Sequence, residues 1–136
     1  MIMKFGLLFT SWGLLLLINV GCIKQNDLDT LAKMGLYNAW KLESRAMNGL
    51  SSLSVPCCEM IVFQADSIST DLKGLFSAES NGTLTTGIFE IQPTYDSISF
   101  SFGNNQLIYA FTLNQPDLVF KFQEGDDLIE ETWKRQ

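Results

Sequence analysis

Ser97-Ile98-Ser99-Phe100-Ser101-Phe102 alternates polar and apolar side chains without a break, and that alternation decides the fold. Successive side chains of a strand point to opposite faces, so Ile98, Phe100 and Phe102 share one face and the serines share the other. Gly103-Asn104-Asn105 turns the chain, and the pattern resumes over 106–113 with Leu107, Tyr109, Phe111 and Leu113 on one side. Asn114-Gln115-Pro116-Asp117 turns it again, and Leu118, Phe120 and Phe122 then align with Lys121 opposite. A last turn at 124–127 leads into 128–135. Upstream, 87–92 runs into Pro93-Thr94-Tyr95-Asp96, where proline presets φ for a turn. Links of a few residues are hairpin lengths, so these segments predict an antiparallel meander.

The N-terminal half reads the same way, less sharply. Residues 37–44 predict a first strand with Trp40 and Leu42 on one face, and 59–65 predict a second. Between 68 and 79 the pattern suggests one strand around Ile68–Leu72 and another around Leu75–Ala78, ahead of an Asn81-Gly82 turn that tolerates positive φ. Asn26 or Asp27 could cap a short helix that stops at Gly35. About eight strands carrying this many aromatics cannot bury them in one open sheet. The expected fold is all-β, an antiparallel up-and-down meander barrel preceded by a short helix.

Composition narrows the function. The 136 residues carry 15 acidic and 9 basic side chains, a net charge of −6, and no histidine. With no Lys/Arg cluster, the attraction to a phosphate backbone that nucleic-acid binding needs is missing. Without histidine, Ser-His-Asp and Cys-His catalysis is impossible, and the commonest transition-metal ligand is absent. A non-catalytic protein with no cofactor is therefore expected.

Lys4 precedes an apolar run over 5–20 that ends at Gly21-Cys22. A charged start, a short apolar stretch and a small residue before a cut mark a secretory signal peptide, and a run of about 16 residues is short of the roughly 20 needed to span hydrocarbon. A small residue followed by Cys resembles the lipobox of bacterial lipoproteins, although Asn19 stands where that motif usually has Leu. The resemblance implies a signal peptide over 1–21, acylation of Cys22 as the first mature residue, a polar tether over 22–33, and one domain over 34–136. Cleavage leaves about 115 residues, enough for a single core. It also implies a partner, the membrane, reached through the acylated Cys22, and a place in the bacterial cell envelope, at the outer membrane.

Leu36-Tyr37-Asn38-Ala39-Trp40-Lys41-Leu42 resembles the opening of lipocalin-like families, which carry a Gly-x-Trp-x-Leu-like signature on the first strand after a short helix. Trp40 and Leu42 match, and Asn38 replaces the glycine. The closing Thr132-Trp133-Lys134-Arg135 also resembles the last strand of those barrels. The resemblance is to the small lipocalin-like lipoproteins of Bacteroidota. It implies that Trp40, together with Arg135 or Lys134, closes one end of the barrel.

Three residue groups are candidates for chemistry. Phe100, Phe102, Tyr109, Phe111, Phe120 and Phe122 either line a cavity for a small apolar ligand or fill the barrel, and ten phenylalanines suffice for filling. Cys57-Cys58 allows a strained, reducible disulfide or two thiols on opposite faces of a strand; adjacent cysteines lack the spacing of a zinc site. Glu130 and Glu131, near Asp126 and Asp127, could suggest paired catalytic carboxylates, but neighbours on a strand face opposite ways. No calcium-loop spacing is present and no metal is expected. The leading expectation is a lipid-anchored protein that binds a small apolar or amphipathic molecule. The alternative is an accessory lipoprotein that docks on an envelope protein.

Overall fold

A computed structural model describes residues 31–32, 34–51, 55, 58–66 and 72–136. The expected signal peptide, Cys22, most of the tether, the caps at Asn26 and Asp27, Cys57 and the segment starting at Ile68 lie outside them. The strands follow in order as β1 (Ala39–Met47), β2 (Leu50–Ser51), β3 (Met60–Ala65), β4 (Lys73–Ser80), β5 (Thr83–Ile91), β6 (Ser97–Phe102), β7 (Asn105–Asn114), β8 (Asp117–Glu124) and β9 (Asp127–Arg135). From β3 onward each strand pairs antiparallel with the next, β1 pairs with β3, and β1 also pairs with β9. That last pairing closes an eight-stranded barrel. It removes the free edges that an open sheet would expose.

The expected hairpins stand where the turn residues put them. Asn81 and Gly82 have φ of 50° and 77°, and this pair of left-handed residues matches the right-handed twist of the flanking strands. Asn48 and Gly49 repeat the geometry at 51° and 81° and fold β2 back on β1, a stub the alternation did not foresee. Where two strands were expected between 68 and 79, the described part holds one. Leu72 lies in a bend, and β4 runs unbroken from Lys73 to Ser80.

The meander places alternate turns at opposite ends, and the two ends differ. At the end where β1 begins, Leu31, Ala32 and Met34 are helical and Gly35 takes a φ of 77°. The Gly35 N–H donates to the Ala32 carbonyl at 3.0 Å and the Leu36 N–H to the Leu31 carbonyl at 3.2 Å. This pair of bonds is the Schellman stop, and it brings Leu31 and Leu36 together. Both are fully buried. The core therefore takes in Leu31, within the expected tether and ahead of the expected boundary at 34.

Above this plug the interior is aromatic. Phe63 meets Phe89 edge-on at 5.1 Å between ring centres, and Phe76 meets Phe100 at 5.0 Å. Two glycines make room for the rings. Gly74 pairs across the strands with Phe89, and Gly87 pairs with Phe76. A Cβ on Gly87 would strike the Ser101 carbonyl oxygen and the Phe76 ring, so the close approach of β5 and β6 depends on its absence.

Candidate functional site

Toward the other end, where the hairpins at 81–82, 103–104 and 125–126 lie, the barrel is hollow. A cavity of about 210 Å³ opens there. Ile61, Phe76, Ala78 and Thr85 form one side of its wall, from β3, β4 and β5. Phe100, Phe102, Leu107, Tyr109, Phe120 and Trp133 form the other, from β6 to β9. Every one of these sits at an inward position of a period-2 strand, so the alternation that builds the sheet also builds the wall.

Of the six aromatic residues expected to meet a ligand, four line the cavity: Phe100, Phe102, Tyr109 and Phe120. Phe111 is buried one step nearer the plug, opposite Phe120 on the neighbouring strand. Phe122 stacks behind Tyr109, with ring centres 4.2 Å apart and planes 19° from parallel. The interior is filled near the plug and hollow near the hairpins.

Trp40 and Arg135 face each other in register at the plugged end. Trp40 is fully buried, and its indole N–H donates to the Leu36 carbonyl at 3.0 Å. Arg135 stays exposed and donates to Gln115 Oε1 at 3.0 Å, while the Gln115 side-chain amide donates to the Met34 carbonyl. Gln115 thus fastens the last strand to the helical plug. Nothing in the sequence marked it out, since it sits in a turn where a polar residue is ordinary.

The sequence reading also passed over an interior ion pair. Glu130 and Glu131 do point apart: Glu130 meets Lys121 at 3.0 Å on the outer surface, while Glu131 is only 8% exposed. Glu131 Oε2 accepts the Trp133 indole N–H at 3.2 Å, and Oε1 lies 3.6 Å from Arg45 Nε. Arg45 also reaches Glu124 at 3.1 Å. Arg45 faces inward because of a bulge. The β1–β9 register slips between Leu42 and Ser44, leaving Glu43 as an extra residue. The inward set Trp40, Leu42 therefore continues as Arg45 and not as Ser44, and bulges characteristically re-aim a side chain in this way. The signal available for Glu131 was its own strand, where it falls between Ile129 and Trp133 on the buried face.

Electrostatics follow from this placement. Burial pushes the Glu131 carboxyl above its ordinary range, outweighing Arg45 and the indole, and Glu59 and Glu124 add to the rise. Burial also raises the Tyr109 hydroxyl, with the Glu131 charge as the next cause. At the hairpin end, Asp127 Oδ1 accepts from the Asn48 side chain at 2.7 Å. Among the described residues, no three His, Cys, Asp or Glu side chains are placed to hold a metal ion. Cys58 has a φ of 77° and is in a disulfide whose partner lies outside the described residues.

Fold and interior together define a class: a closed up-and-down β-barrel, plugged at one end, with an apolar cavity open at the other. No known protein family, curated protein or solved structure matches the chain.

Proposed function

We propose that this chain is a lipid-anchored envelope lipoprotein of the lipocalin-like kind, held by acylated Cys22, whose barrel binds a small apolar or amphipathic molecule and catalyses nothing. The open cavity of about 210 Å³, walled almost entirely by apolar side chains, is the observation that carries the reading. Pockets for drug-sized ligands run to roughly 300–1,000 Å³, so the occupant is a smaller molecule or one end of a longer amphipath. The lipobox-like Gly21-Cys22 supports the anchor, and the plugged end beside Trp40 supports the lipocalin-like kinship.

The test is native mass spectrometry of the protein extracted from membranes after exposure to a total lipid extract of the source cell. A discrete added mass that vanishes on denaturation is the expected result. A bare protein mass would refute ligand binding and turn the search to protein partners. The docking alternative has one observation of its own: Leu75 and Ile88 pair on the outer face of β4 and β5 and are both exposed.

A further inference from the structure

The cavity wall is both aromatic and bordered by negative charge. Phe76, Phe100, Phe102, Tyr109, Phe120 and Trp133 supply six rings to one small space. Ring faces carry the negative end of the aromatic quadrupole, so a positive group within the apolar cavity is attracted to them. Glu131 lies directly across the strands from Phe120 and two residues from Trp133 on the same inward face. Its carboxylate accepts the Trp133 indole N–H, which leaves that ring polarised toward a cation.

Around Glu131 the carboxylates outnumber the one guanidinium. Glu131 and Glu124 share one guanidinium, that of Arg45, at 3.6 and 3.1 Å. Glu59 adds to the field at Glu131 from just before β3. Arg45 is therefore already occupied by two carboxylates. An anionic head group would have to displace one of them and then remain beside both. A neutral head group would gain nothing from the arrangement.

Taking the cavity to be a ligand site, we infer that its ligand is an organic cation: an alkylammonium-type molecule whose apolar part fills the cavity and whose positive head lies against the rings beside Glu131. The closed fold supplies the apolar enclosure, and the inward Glu131 supplies the sign of the charge.

Isothermal titration calorimetry of the full chain in lipid nanodiscs, with empty nanodiscs as the blank, tests this with octyltrimethylammonium, octanoate and 1-octanol. The three probes share a tail and differ in charge. The cation should bind about tenfold more tightly than the alcohol, the scale of one desolvated cation–π contact, and octanoate should bind most weakly. Glu131→Gln should remove most of that preference while leaving the alcohol's affinity in place. Glu124→Gln, at an exposed side chain, should reduce it and serves as the test if the first variant does not fold. Equal or tighter binding of octanol or octanoate would overturn the inference and leave the cavity reading standing. A preference that survives both variants unchanged would also overturn it. Failure of all three probes to bind would overturn the cavity reading and this inference together.

Discussion

Replacing Glu131 by Gln tests whether the interior ion pair stabilises the barrel. At 3.6 Å, and with an effective dielectric of about 20, the gross attraction between Glu131 and Arg45 is roughly 4–5 kcal/mol. Against it stands the cost of taking the carboxylate out of water, several kcal/mol per ion even after relaxation. The raised Glu131 pKa decides between them, since burial outweighs Arg45 and the indole N–H. The ionised form is thus the less favourable occupant of this site. Unfolded, the group ionises near its ordinary value of 4.5; folded, it holds its proton to higher pH. The stabilising contribution of this carboxyl is therefore complete below about pH 4.5 and is lost as pH rises through the folded value. Gln cannot ionise, keeps an acceptor for Trp133 and leaves Arg45 paired to Glu124. At about pH 8 the variant should be more stable than the parent, because it removes the cost of burying the carboxylate while Glu124 still pairs with Arg45. At about pH 4 the difference should shrink toward zero, because the parent is then neutral at this site too. Urea titrations followed by Trp fluorescence would read this as a shift in midpoint at constant slope. A variant destabilised by more than about 2 kcal/mol at both pH values would refute the reasoning, since it would mean that the pair contributes more than its burial costs.

Three further outcomes are expected. Gly87→Ala should destabilise the barrel by about 1–3 kcal/mol in thermal or urea unfolding, because the added methyl meets the Ser101 carbonyl and the Phe76 ring; an unchanged midpoint would show that the strands separate freely there. Gln115→Ala should cost about 1 kcal/mol and speed amide exchange at Leu36, since it unties both the Met34 carbonyl and Arg135. Cys22→Ser should release the protein from the membrane fraction or leave it unprocessed; persistence on the membrane at mature size would remove the lipid anchor from the proposal.

The barrel was legible because its rule is local. The alternation through Ile98, Phe100 and Phe102, then Tyr109 and Phe111, then Phe120 and Phe122, needs only neighbouring residues to announce which face is inside. Turn residues such as Asn81-Gly82 likewise act through their own backbone freedom. The helix stop at Gly35 was visible for the same reason, although the burial of Leu31 beyond it was not. The candidate site was legible in part. Four of the six aromatics line the cavity, whereas Phe111 lies deeper, nearer the plug, and Phe122 is stacked on Tyr109. Strand stagger sets that depth, and alternation is silent about stagger.

The sequence by itself determined an all-β barrel, the hairpins from Asn81-Gly82 onward, the inward faces of β6, β7 and β8, and the absence of histidine chemistry. Tertiary structure alone decided that one end is plugged by Leu31, Leu36 and Gln115, and that Arg45 turns inward to meet Glu131. The physical reason is register. Read from its own sequence, β1 would send Ser44 inward after Leu42. Pairing with β9, more than eighty positions along the chain, inserts Glu43 as an extra residue and reverses every side chain beyond it.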